Sequence, residues 1–381
     1  MGNVNLLFIK ESQVDNVKRL SSHSHFLDRK LEVRKYENAY VLPKAPFNAG
    51  IITSDGNAIL GTNACERYRV GYGFDKSKVQ IVDEEVVYMG YLKSIFGHCI
   101  TDDIKRCWFI GTEKWKQLKG KNVKCVYILP EDEKVSDVLV QSLNWFGEDI
   151  NSWQRITEDT QFSKIYVPDC SLIYNNGERY FTKEFVKTVS LLKTIALKKS
   201  NVEFFPEKIY LSRTNIVEPG REMGEKAIEK EFKRNGYFIE HPEEWSLEDQ
   251  IALMGGCTHL ATTEGSIAHI AMFCSPGTQV AILRKADYVN TYQVAINELA
   301  NLDVTYIDVH QSTVDDRWPW GGPFYLYKTH QLYKYLNRHQ FVWPVIFRPS
   351  FWWYKLRQAK VMQQFISNRR LTKKIERFLF S

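Results

Sequence analysis

The sequence predicts an α/β protein built on parallel sheets. Three observations carry that prediction. Short apolar runs rich in Val, Ile and Tyr alternate with amphipathic stretches, the alternation is cleanest between residues 208 and 285, and polar residues gather where the runs end. A chain of 381 residues exceeds what one core usually serves, so two domains are expected.

Residues 1–170 make the first expected domain. Here "NAYVLP", "NAIL", "EVVYMG", "NVKCVYILP" and "KIYVP" read as strands, while "SIFGHCITDDIKRCWFIG" and "KVSDVLVQSLNWFG" read as helices closed by glycine. Strands alternating with helices predict a parallel sheet in a three-layer arrangement. The second domain, 171–323, opens with a long amphipathic helix over 176–200, with Phe185, Val189 and Leu192 on one face. "KIYLSR", "YFIEH", "THLATT" and "TQVAILR" follow as strands. Between them lie the helices "GREMGEKAIEKEFKRNG", "SLEDQIALMGG" (Ser246 and Asp249 in capping-box positions) and "SIAHIAMFC". Four strands with three crossovers amount to half a doubly wound nucleotide-binding fold. Residues 324–381 form a basic, aromatic tail expected to be helical.

Composition narrows the function classes. With 44% hydrophobic and 25% charged residues the chain is globular rather than disordered. Its seven cysteines show no CxxC pair and no metal-ligand spacing, which suits a reduced, cytosolic setting. The apolar run near the N-terminus is broken by Lys10 and Glu11, so neither a signal peptide nor a spanning helix is expected. Leu6 stands where a myristoylation signal needs Ser or Thr. Gly71 and Gly73 lack the third glycine of a dinucleotide fingerprint and read as a turn.

In a parallel sheet the carboxyl ends of the strands lie along one edge. That edge collects Ser212 and Arg213, His241, Thr263 to Ser266, and Arg284 with Lys285. The helix starting near Ser266 would offer backbone N–H groups to a phosphate, and Gly265 would allow its close approach. Arg213 and Arg221 can make bidentate contacts to a diphosphate. Glu264 suits sugar or ribose hydroxyls. Plainer roles stand beside these: helix-end residues for Glu264 and Ser266, surface charges for the arginines, a core histidine for His269.

These residues fall in a run, "YLSRTNIVEPGREMGEKAIEKEF" through "EGSIAHIAMFCSPGTQVAIL", that resembles glycosyltransferase family 61, the former DUF563 group. The likeness rests on Ser212-Arg213, Arg221 with Glu225, Gln250, Gly265 to Phe273 and Pro276-Gly277, with Gly97-His98 and Asp102 matching an upstream element. It spans roughly residues 90 to 285. Glu264 stands where that family usually has histidine, and His269 where it has asparagine. The resemblance implies a GT-B fold, with two Rossmann-like domains facing across a cleft. It also implies inverting transfer from a nucleotide sugar with no cofactor and no essential metal, in the bacterial polysaccharide-biosynthesis branch. No strict Asp-x-Asp metal motif occurs; "EDE" at 131–133 is the nearest approach.

On this reading Arg213, Arg221, Glu225, Glu264, Gly265, Ser266, His269 and Arg284 bind the donor. An inverting transfer needs a general base. His98 and Asp102 are four residues apart and share a helical face, whereas Asp103 is turned away. Asp102 is the first candidate for the base and His98 the second, or its orienting partner; the plainer alternative is a helix start capped by Thr101.

The tail 324–381 holds twelve Lys or Arg against one acid, Glu376, although the whole chain carries only +6. Its Trp343, Trp352, Trp353 and Tyr354 lie among cations, which suits an anionic membrane surface over 346–381, with 324 to about 345 packing on the body. No nucleic-acid-binding motif is present. The expected partners are a nucleotide sugar, a saccharide or lipid-linked saccharide acceptor and the inner face of the cell membrane. Two other readings are a polysaccharide pyruvyltransferase and a non-catalytic scaffold for polysaccharide assembly.

Overall fold

The computed structural model describes residues 2–44, 47–63, 69–215, 222–310 and 323–379, with side chains in the last helix described through Gln364 and at Ser367. Arg221 and Cys65 lie outside the described residues.

The chain opens with β1 (Val4–Phe8). A first six-stranded sheet follows, made of β2 (Val33–Leu42), β3 (Gly50–Ile52), β4 (Gln80–Tyr91), β5 (Lys124–Ile128), β6 (Gln154–Ile156) and β7 (Thr160–Pro168), in the order β3-β2-β7-β4-β5-β6. A hairpin, β8 (Leu172–Asn175) with β9 (Glu178–Phe181), leads into the helix Lys183–Lys199. The second sheet contains β10 (Lys208–Leu211), β12 (Phe238–Glu240), β13 (His259–Thr263), β14 (Gln279–Arg284) and β15 (Asp303–Asp308). Its order is β1-β15-β14-β13-β10-β12 and every pairing is parallel. A short parallel ribbon joins β11 (Glu222–Met223) to β16 (Phe324–Tyr325).

The second sheet is the parallel unit expected for 208–285, enlarged by β15 and β1. Because β1 pairs with β15, the first residues of the chain belong to the second sheet although they precede the whole of the first. The first sheet departs from expectation. Four of its strands run parallel, but β2 is antiparallel to both β3 and β7. Its two faces also differ. Val87 and Met89 of β4 face helices that supply Trp115, Leu118, Leu139 and Leu143. Val86 and Tyr88 face a cluster closed by Ala49, Ile51 and Ile59, with no helix residue among its described members. The three-layer arrangement expected for 1–170 is therefore not formed.

Two expected helices are shorter than predicted, for local reasons. Within 176–200, Asn176 and Gly177 take φ of 48° and 90°, which two-residue hairpin turns require, so the helix starts only at Lys183. The stretch around His98 is helical only over Phe96–Cys99. Thr101 bonds back to the Gly97 carbonyl (2.6 Å) instead of capping a helix start, and turns carry the chain onward.

One apolar core joins the sheets. Val87 and Met89 of the first sheet reach Leu260, Val280 and Ile282 of the second through Phe185 and Leu192 of the long helix and Ile267, Ile270 and Phe273 of the segment after β13. The far face of the second sheet, with Tyr210, Ala261, Ala281 and Leu283, packs on Ile228, Phe232 and Leu332. In the tail, the helix Pro349–Leu379 places Phe351 and Tyr354 against Tyr325 and Val345, so packing extends past the expected limit near 345.

Candidate active site

A cleft of about 1020 Å³ runs between the carboxyl ends of the two sheets. From the first sheet it is lined by Tyr91, the last residue of β4, with Lys93 just beyond it, and by Asp132 and Glu133 after β5. From the second it is lined by Arg213 after β10, Gly265 and Ser266 after β13, and Lys285 after β14. The neighbours of β10 are β12 on one side and β13 on the other, so the sheet reverses its winding there, at the position where such sheets bind ligands.

On the second-sheet side the site is built for an anion. Gly265 has φ +131°, a conformation that side chains disfavour, and an added Cβ would lie 3.3 Å from Lys285 Nζ. The chain then turns into the helical segment Ser266–Phe273, whose first N–H groups have no intrahelical acceptor. Glu222 stands between two cations, with Lys285 Nζ at 2.5 Å and Arg213 Nε at 3.4 Å. One carboxylate stands against two cations here, and a second carboxyl behind Arg213, Glu225, is pushed toward its neutral form by burial, so the cleft wall keeps a positive excess. Lys285 also sits 4.8 Å above the Phe324 ring, which fixes its stem.

Facing this wall is a buried carboxylate with an unusual number of donors. Asp102 Oδ2 accepts from Lys93 Nζ (3.1 Å) and Tyr292 OH (2.7 Å), and it meets His98 Nδ1 at 2.7 Å. Burial works to raise its pKa. Lys93 and His98, with Arg179 and Lys105 beyond them, outweigh burial and hold the carboxyl well below its usual range. Asp102 does not line the cleft, whereas His98 does, with its side chain 30% exposed. An ionised Asp102 can only accept, so the contact places the imidazole proton on Nδ1 and leaves the lone pair on Nε2.

The neighbours hold this arrangement. The Arg179 guanidinium lies 4.2 Å from the Tyr292 ring centroid and 4.6 Å from that of Tyr174, and it donates to Tyr292 OH. His269 meets Asn290 Nδ2 through Nε2 at 3.3 Å. Burial, then the nearby His98, push its pKa down to about 4, so it is neutral at ordinary pH. Gly97 is pressed against this segment: a Cβ there would come within 2.7 Å of Ser266 Cβ.

The family profile described as Glycosyltransferase 61 matches residues 96–281. Over that span the chain is similar to the glycosyltransferase 61 family. No curated protein matches the chain. A glycosyltransferase binds a sugar donor and a saccharide acceptor, and the cleft has two chemically different walls to receive them.

Of the expected site residues, His98, Arg213, Gly265, Ser266 and His269 all line the cleft. Three further expected donor residues lie behind it. Glu264 is fully buried and accepts the Asn290 N–H (3.0 Å), so it braces the loop rather than meeting sugar hydroxyls. Glu225 is buried beneath Arg213, accepting its backbone N–H (3.0 Å) and Tyr210 OH (3.2 Å). Arg284 is fully buried and paired with Asp308 at 2.9 Å. Successive residues of an extended chain alternate in direction, so the cation delivered to the cleft from β14 is its neighbour Lys285. Lys93, Arg179 and Tyr292 were not foreseen. A lysine just past a strand was a usable signal for the first, but Tyr292 lies in the first turn of a helix, Thr291–Leu299, with no motif of its own.

Burial, reinforced by the Glu222 charge, raises the Glu225 pKa from 4.5 to about 7. A carboxyl whose folded-state pKa is raised contributes stability that is fully present below its unfolded value and is lost as pH rises through the folded one. Glu225→Gln keeps the acceptor oxygen and removes the titration. Between pH 4 and 8 the wild type should lose stability relative to this variant by on the order of 3 kcal/mol. Urea unfolding at stepped pH measures the difference, and parallel pH profiles would contradict the assignment.

Proposed function

We propose that this glycosyltransferase moves a sugar from a nucleotide-sugar donor to a saccharide acceptor with inversion, with His98 as the general base. The observation that carries the reading is the Asp102–His98 pair, open to the cleft through the imidazole and facing the Arg213–Lys285 wall. Asp102, first candidate for the base on sequence grounds, is buried behind His98 and held to a low pKa by Lys93, which suits orientation better than proton abstraction. His98 takes the proton of the acceptor hydroxyl as that oxygen attacks the anomeric carbon. The diphosphate leaves toward Arg213, Lys285 and the N–H groups at Ser266, whose fixed positive charge meets the charge that develops. That cation pair can do the work of a metal at the leaving group, so the reaction as proposed calls for no metal or other cofactor. The two sheets flanking one cleft support a GT-B arrangement, although their shared core makes it a stiff one.

The tail supports a place on an anionic membrane surface, at the inner face of the cell membrane, where a lipid-linked acceptor of surface polysaccharide synthesis would be reached. Ile346, Phe347, Trp352, Trp353 and Leu356 are between 53% and 69% exposed and line one shallow recess. Arg348 and Lys355 flank them. No helix among the described residues is long and apolar enough to cross a membrane. Such a cationic aromatic face binds by charge and by ring insertion together.

The reaction is tested with the donor that most raises the melting temperature in a panel of nucleotide sugars. His98→Ala should lower the transfer rate about 100-fold or more. Asp102→Asn should also slow transfer, because the imidazole loses the anionic partner that orients it. Near-full turnover by His98→Ala would overturn the assignment of the base.

Vesicle co-sedimentation tests the tail. Binding to vesicles containing phosphatidylglycerol should exceed binding to zwitterionic vesicles and fall steeply with added salt. The double change Trp352→Ser and Trp353→Ser should remove the salt-resistant remainder. Equal binding to both vesicle types would contradict the membrane assignment.

A further inference from the structure

At the margin of the cleft, which Glu178 also lines, two histidines and a glutamate meet with their polar atoms turned inward. His23 Nε2 lies 2.7 Å from Glu178 Oε2, and His25 Nε2 lies 3.5 Å from the same oxygen. The three ligand atoms are all within 4.8 Å of one another. Backbone pairing sets them there: Phe181 N–H donates to the His25 carbonyl (2.9 Å) and Leu27 N–H to the Phe181 carbonyl (2.8 Å), so the 25–27 segment lies alongside β9.

The donor and acceptor roles at this cluster do not close with neutral imidazoles: they call for a further proton on the rings or for a bound cation. His23 Nδ1 faces the Arg19 carbonyl at 3.2 Å, and a carbonyl can only accept, so Nδ1 carries the proton. In the neutral ring Nε2 is then a bare lone pair facing a carboxylate oxygen. His25 has the same problem in a more buried place, since it is 1% exposed. Its Nδ1 faces Glu298 Oε2 at 3.4 Å and its Nε2 faces Glu178, yet a neutral imidazole has one proton for two carboxylates. The buried His25 Nε2 has no hydrogen-bond partner.

We infer that His23, His25 and Glu178 form a binding site for a divalent transition-metal ion of the imidazole-preferring kind, zinc being its natural probe. Two imidazole nitrogens and one carboxylate oxygen are a common zinc donor set, and each histidine is oriented through its other nitrogen by an acceptor, as metal-bound histidines usually are. Arg19 bonds the other oxygen, Glu178 Oε1 (3.0 Å), and so leaves Oε2 to the metal. A cavity of about 30 Å³ bordered by His23, His25 and Glu298 is large enough for one water as a fourth ligand. Glu178 and Glu298 balance the charge of a dication.

The ion would tie the N-terminal segment to the hairpin β8–β9. The residue after Glu178 is Arg179, which stacks on Tyr292, itself bonded to Asp102. The site is thus a brace for the hairpin that presents Arg179, and it does not depend on the proposed reaction. A second group, His241 with Glu243 and Glu244, also lies within ligand distance. It is carried on one short, partly exposed turn and serves as the control.

The test uses tag-free full-length protein freed of metal by a chelator and titrated with zinc chloride, with melting temperature and bound zinc as readouts. Cobalt substitution reports tetrahedral coordination by its visible absorbance. The wild type and His241→Ala should bind one zinc per chain and melt at a higher temperature with it. His23→Ala and Glu178→Gln, which change less buried members than His25, should weaken binding at least tenfold and abolish that rise. Wild type without saturable zinc binding would overturn the assignment. So would equal affinity in His23→Ala, or loss of binding in His241→Ala.

Discussion

A single carboxylate oxygen, Asp102 Oδ2, is shared by groups from both halves of the chain: Lys93 and His98 from the first, Tyr292 from the second. An uncompensated charge at that depth would cost several kcal/mol, so the three partners must stay in place together. Tyr292 can reach Asp102 only if its helix is seated against β9 and the Ser266–Phe273 segment. His98 can do so only if Gly97 lies flat on Ser266. The two walls of the cleft are therefore registered by the same contact that orients the imidazole.

The opposite wall follows a similar logic with charges reversed. Glu222 is buried between Arg213 and Lys285, so neither cation has to be gathered when an anion arrives. The arrangement keeps the cations desolvated and fixed while leaving a positive excess, which suits a charge that forms during a reaction rather than before it. Glu225 supports this wall from below through the Arg213 backbone, and Glu264 supports the loop on its other flank.

The second sheet was legible in the sequence because its strands are short apolar runs punctuated by glycine, and its Ser266 turn because the period changes there. The first sheet was less so. Antiparallel pairing of β2 with β7 joins residues about 120 positions apart, and no local pattern encodes it. The membership of β1 in the second sheet was missed for the same reason. Within the site, His98, Asp102, Arg213 and the Gly265 turn were found from spacing and resemblance. Arg284 was preferred to Lys285 because both follow one strand and only the fold decides which faces the cleft. Tyr292 and Arg179 carry no motif, and His23 reaches Glu178 across 155 residues.

The central claim is that the diphosphate of a nucleotide donor is held at the Ser266 turn between Arg213 and Lys285, within reach of His98. A crystal structure with a nucleoside diphosphate, bound in solution beforehand at a concentration fixed by calorimetry, tests it most directly. The account predicts phosphate oxygens on the N–H groups of the Ser266 turn and on both cations, with the His98 imidazole facing the space next to the terminal phosphate. A diphosphate seated elsewhere, or a cleft that stays empty while the nucleotide binds, would contradict it.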